Sequence, residues 1–259
     1  MSPRPDPRSL CRSLPSLQLI VAGSGRDGTT TLRGLVRTLA RLNGEEWVVP
    51  NELYCGHVCN LTSACLETGI AAYRHALRDL LEQVPAHALV GPAYQFALDL
   101  LADLHGPRVK LIHLRRRDRD ACIASLARIV QLKPAGAVNY SGVECRKDLA
   151  NYFQRPTAYH YGEMTRADWQ ALDLPGKIGW YFDKTHALIC EAHSRFAAVL
   201  EVATEELDDP ATVARIAHFI RPEWTRLCDP IHLNSTADLL RNGGLETSGR
   251  ERLVHPDEK

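Results

Sequence analysis

Leu17-Gln18-Leu19-Ile20-Val21-Ala22-Gly23-Ser24-Gly25-Arg26-Asp27-Gly28-Thr29-Thr30-Thr31 is the stretch that decides how this chain reads. An apolar run ends in a glycine-bearing turn, after which Leu32, Leu35, Val36 and Leu39 recur at helical spacing. The change of period across the turn reads as strand, turn, helix. The same unit recurs downstream. Ala88–Val90, closed by Gly91-Pro92, reads as a second strand, followed by a helix with Phe96, Leu98, Leu100 and Leu101 as its apolar positions. Val109–Leu114 reads as a third strand, running into a helix that carries Cys122, Leu126, Ile129 and Val130. Ala198–Val202 reads as a further strand. Asp209-Pro210 then opens a helix striped by Val213, Ile216, Phe219 and Ile220, with Asp as its N-cap and Pro at its first position. Strands alternating with helices predict an α/β fold of three layers, a mostly parallel sheet flanked by helices.

The chain has 259 residues, 45% of them hydrophobic and 24% charged, which suits one large domain of this class. Lys plus Arg and Asp plus Glu both number 31, so the formal net charge is zero. That balance points away from a nucleic-acid partner, which asks for a basic excess or stripe. No apolar run reaches the length of a membrane span. Met1–Ser16 is rich in proline and arginine and lacks the apolar core of a secretory signal. It reads as a disordered lead-in, and the expected location is cytoplasmic. Residues 17–259 read as a single domain, with an irregular insertion or lid near 132–175 that is rich in Tyr, Arg and Pro. The eight cysteines then read as reduced, mostly buried thiols. Cys55, His57, Cys59 and Cys65 do not reproduce a paired CxxC zinc framework, so packing in or beside a helix is expected there, and no metal.

Glycines in the turn let successive backbone N–H groups face inward around phosphate oxygens, and the helix that follows adds its unpaired N–H groups and positive dipole end. Gly23, Gly28 and Thr30 meet the spacing of the nucleotide-triphosphate P-loop, but Thr29 stands where that loop needs lysine. The cation is instead Arg26. A second candidate anion site follows the third strand. Arg115-Arg116-Arg117-Asp118 leaves the strand end, and Ser125 lies inside the next helix. Arginine can bond phosphate oxygens bidentately, and the carboxyl ends of parallel strands are where such folds bind ligands.

On these residues the chain resembles the sulfotransferase family that uses 3′-phosphoadenosine 5′-phosphosulfate (PAPS), with its P-loop nucleotide-hydrolase-like fold. The resemblance spans the sheet regions from about Leu17 to Ile220. It implies that Gly25, Arg26, Asp27, Gly28, Thr29 and Thr30 grip the donor's 5′-phosphosulfate, with Arg26 also acting in catalysis. It implies that Ser125 with Arg116 or Arg117 binds the 3′-phosphate. Asp27 departs from the family's usual serine, and an acid there repels the donor unless it points away or caps a backbone N–H. Leu200–Leu207 with Asp209-Pro210 resembles the strand and acidic turn before the family's last core helix, with Thr204 where a tyrosine often stands. The family places a Glu or His base soon after the first helix. Glu52, in Val49-Pro50-Asn51-Glu52, follows an expected strand and a proline-set turn and is the choice, with Glu46 and His57 as rivals. The implied reaction moves a sulfuryl group to a hydroxyl or amine of a small-molecule or glycan acceptor. His160 and Glu163 are candidates for shaping the acceptor pocket. Trp180, Tyr181 and His186 are alternatives, expected rather to pack as helix faces. Two competing readings are a nucleotide kinase or NTPase with a degenerate P-loop, and a non-catalytic nucleotide-binding protein.

Overall fold

The computed structural model describes residues 15–132 and 155–230, with the side chains of 129–132 outside that set. The expected lead-in up to Leu14, the apolar roles of Ile129 and Val130, and much of the expected lid lie outside the described residues. Four strands form one sheet, β1 (Leu19–Ala22), β2 (Ala88–Gly91), β3 (Lys110–Arg115) and β4 (Ala198–Ala203), in the order β2-β1-β3-β4. Every pairing is parallel, with Ala22 opposite Gly91 on one side and His113 on the other. β1, β2 and most of β3 are continuous buried runs, as strands covered on both faces must be.

Alternation along the strands divides the core. Leu19, Val21, Val90, Ile112, Leu114 and Val202 face α1 (Thr29–Leu42) and α8 (Pro210–Ile220). Ile20, Ala22, Leu89 and Leu111 face the other layer. That layer holds α2 (Cys55–Thr68), α3 (Ala71–Glu82), α4 (Leu98–His105), α5 (Arg119–Leu132) and α7 (Leu174–Ala192). The result is a helix–sheet–helix sandwich. α1 shows why it holds: Leu32, Leu35, Val36 and Leu39 recur on one face and are fully or almost fully buried, each contributing about 1.5–3 kcal/mol of transfer free energy. Asp209 caps α8 by accepting from Ala211 N at 3.0 Å, with Pro210 in the first turn, as its sequence predicts.

Two expectations change. No strand forms before Pro50. Instead the chain runs beside β2, with Val48 bonded to His87 and Asn51 bridged in parallel to Val90. Proline has no N–H to carry a ladder onward. Nor is the described part of 132–175 purely irregular: α6 (Arg166–Ala171) lies within it, and α7 begins at Leu174, capped by Asp173 accepting from Gly176 N at 2.8 Å. No described helix is long and apolar enough to cross a membrane.

Candidate anion-binding site

β1 and β3 are neighbours, but the helices that follow them cover opposite faces of the sheet. Their carboxyl ends therefore open a crevice, the topological switch point where parallel sheets place ligands. The glycine turn fills one side of it. Gly25, Arg26 and Gly28 all take positive φ (87°, 61° and 85°), so the backbone curls tightly before α1. A Cβ on Gly28 would stand 2.8 Å from Leu207 Cδ1. A Cβ on Gly23 would stand 2.8 Å from the Leu114 carbonyl oxygen. Glycine is thus required at Gly23 by the approach of backbone and at Gly28 by its positive φ. Gly28 gives α1 no side-chain cap, and the first turn of α1 carries no acidic residue, so the helix offers its dipole end to an anion.

The departure at Asp27 is resolved by its orientation. Its side chain is fully buried beneath the turn and accepts from Ser24 N, from Ser24 Oγ at 2.8 Å and from Cys122 Sγ at 3.3 Å. It braces the turn from inside. Thr204, where the resembled family often has tyrosine, donates its hydroxyl to the Asp27 carbonyl at 2.7 Å, joining the end of β4 to the same turn.

Burial is the main cause that raises the Asp27 pKa to about 6, against the opposing hydrogen bonds from Ser24. A carboxyl that binds its proton more tightly when folded stabilises the fold below its ordinary pKa, near 4, and loses that contribution as pH rises through about 6. The difference is worth about 3 kcal/mol. Asp27→Asn, which keeps an acceptor for Ser24, is therefore expected to flatten the stability–pH profile between pH 4 and 7. Urea unfolding across that range measures it, and an unchanged slope would show that Asp27 ionises without penalty.

The sequence-predicted cations converge only in part. Arg26 Nε donates to Ser125 Oγ at 3.2 Å, so the first candidate site touches the second across 99 residues of chain. Arg116 lies close enough that its charge, after burial, lowers the Arg26 pKa, and it acts on Asp27 as well. Two guanidinium groups thus stand beside the helix N-terminus. Arg117 turns away to an exposed ion pair with Glu206, while Arg116 approaches Glu205 at 3.7 Å. Of the two, Arg116 is the one whose charge reaches Arg26 and Asp27 in the turn. Ser125 is presented by α5, whose Asp118 cap accepts from Ala121 N at 2.9 Å, and the same helix packs Leu126 near Gly25.

Glu52 also reaches this end of the sheet. A Cβ on Gly25 would stand 3.2 Å from Pro92 Cβ, and one on Gly91 would stand 3.5 Å from Glu52 Cα. Glu52 is exposed and takes a positive φ of 49°, followed by Tyr54 at 59°, in a tight bend leading to α2. His57, on the first turn of α2, is exposed beside the Tyr54 ring. Glu46 belongs to the opposite end. Its neighbour Glu45 accepts from Trp47 and Trp224, and the following Val48 meets His87 below the start of β2.

The acceptor-pocket candidates serve as fastenings. Glu163 accepts from Lys184 and Trp180, both at 2.7 Å, and His160 Nδ1 accepts from Thr157 N at 3.1 Å. Tyr181 donates to the Pro92 carbonyl at 2.6 Å, and Arg155, buried and unnoticed in the sequence, donates to the same carbonyl at 3.0 Å. Pro92 is thereby locked against the turn from the α7 side. Cys55 and Cys59 are buried on α2, where desolvation pushes the Cys59 thiol up to about 11. Comparison with family models, with curated proteins and with solved structures found no match to this chain.

Proposed function

We propose that the crevice binds PAPS and that the protein is a sulfotransferase of P-loop-like fold, acting on a hydroxyl or amine. What supports this most is the meeting of Arg26, Arg116 and Ser125 with the uncapped start of α1 at the β1/β3 switch point. On this reading the turn and the helix N–H groups take the 5′-phosphosulfate, and Arg116 with Ser125 takes the 3′-phosphate. The ligand then replaces the Arg26–Ser125 hydrogen bond with bonds from Arg26 to anionic oxygens, in which both partners are charged. The acceptor oxygen or nitrogen attacks sulfur, the bond from sulfur to the bridging phosphate oxygen breaks, and 3′-phosphoadenosine 5′-phosphate leaves. Arg26 and the α1 dipole stabilise the charge that grows on that bridging oxygen. Glu52 takes the acceptor's proton.

A thermal-shift measurement tests the donor. 3′-Phosphoadenosine 5′-phosphate is expected to raise the melting temperature in a saturable way, by the linkage of ligand binding to folding. Stabilisation by ATP with magnesium and none by the bisphosphate would overturn the proposal in favour of an NTPase.

A further inference from the structure

On the face of the sheet covered by α7, three side chains crowd together. His113 on β3, Cys190 in the last turn of α7 and His193 just beyond it each bring a ligand atom within 4.8 Å of the others. The His193 Nε2 atom lies 3.2 Å from His113 Nδ1. Two nitrogens on a tetrahedral zinc, each about 2.0 Å from the metal, stand about 3.3 Å apart. That spacing matches two ligands of one ion. We propose that His113 Nδ1, His193 Nε2 and Cys190 Sγ bind a divalent transition metal of the zinc class, with a fourth position open to solvent.

The surroundings fit a metal centre. His113 Nε2 lies 2.8 Å from His186 Nδ1, and His193 Nδ1 faces Glu201 Oε1 at 3.9 Å. The His113 ring is thus held by a hydrogen bond on its second nitrogen, the arrangement that orients metal-bound histidines, and His193 has a carboxylate near its own. Glu201 sits directly opposite His113 in the β3–β4 ladder, so parallel pairing itself delivers it to this face. His113 and His186 are buried while Cys190 is exposed, which gives a rigid floor and an entry path. Two nitrogens and one thiolate suit zinc or cobalt better than calcium or magnesium, which prefer oxygen.

Proton bookkeeping closes. One tautomer set that satisfies both contacts has His113 Nε2–H donating to His186 Nδ1 and His193 Nε2–H donating to His113 Nδ1. Metal on His113 Nδ1 and His193 Nε2 then leaves the bond to His186 in place and moves the His193 proton to Nδ1, toward Glu201. Each imidazole keeps one proton, and the single proton released is that of the Cys190 thiol. The bound ion cross-links the end of α7 to β3.

The test is a cobalt(II) titration of the full chain after removal of metals with a chelator. One equivalent is expected to bind, with thiolate-to-cobalt charge-transfer absorption that zinc(II) abolishes by competition. Cys190→Ser, at an exposed position, is expected to remove that absorption with the circular dichroism unchanged. His193→Ala is expected to weaken cobalt binding tenfold or more. Absence of the absorption in the native chain, or its persistence in Cys190→Ser, would overturn the proposal.

Discussion

Arg26→Asn is expected to weaken binding of 3′-phosphoadenosine 5′-phosphate by about 10–100-fold, the worth of a charge-assisted hydrogen bond of about 1.5–3 kcal/mol. Asparagine is the substitution of choice because residue 26 takes φ 61°, a left-handed conformation that asparagine tolerates and alanine does not. The variant therefore removes the charge and leaves the turn. Turnover from PAPS should fall further than binding, by about 10²–10³-fold, because the cation also meets charge that develops only in the transition state. Arg116→Ala should weaken binding comparably, whereas Arg117→Ala should change it little, since Arg117 is engaged with Glu206 at the surface. Isothermal titration of the three variants measures this order. Equal losses at Arg116 and Arg117 would mean that the crevice does not distinguish them.

Glu52→Gln is expected to lower turnover by about 10²–10⁴-fold with nucleotide affinity unchanged, the range over which a positioned general base acts. Glutamine keeps the size and the hydrogen-bonding reach of the side chain, so the exposed bend with φ 49° is preserved. Glu46→Gln is the control and should leave turnover intact, because that residue lies at the far end of the sheet. His57→Asn separates the remaining rival on the same end. Steady-state rates with PAPS and a panel of hydroxyl and amine acceptors give the readout. Full activity in Glu52→Gln would remove Glu52 as the base without touching the donor assignment.

Legibility followed locality. Strand β1, the glycine turn and α1 are read from the consecutive residues Leu19–Leu42, because the change of period and the glycine positions lie in adjacent turns of chain. The Asp209–Pro210 start of α8 is equally local. The expected strand before Glu52 misread an extended edge segment: its apolar character is real, but Pro50 limits its pairing with β2 to one bridge. The hairpin of α2 and α3 gave a weaker signal. α2 mixes buried Cys55, Cys59, Asn60 and Ser63 and so lacks a clean apolar stripe.

The amino-acid order alone determined an α/β chain with a glycine turn poised between strand and helix, together with the identity of its cation, Arg26. Only the tertiary structure decided that Asp27 braces the turn from below, that the charge of Arg116 rather than that of Arg117 reaches it, and that Glu46 stands at the wrong end. It alone gathered His113, Cys190 and His193. The physical reason is the same in each case. Backbone geometry at a turn is set by neighbours in sequence, whereas the direction and charge environment of a side chain are set by whatever a parallel sheet, with its long crossovers, packs against it.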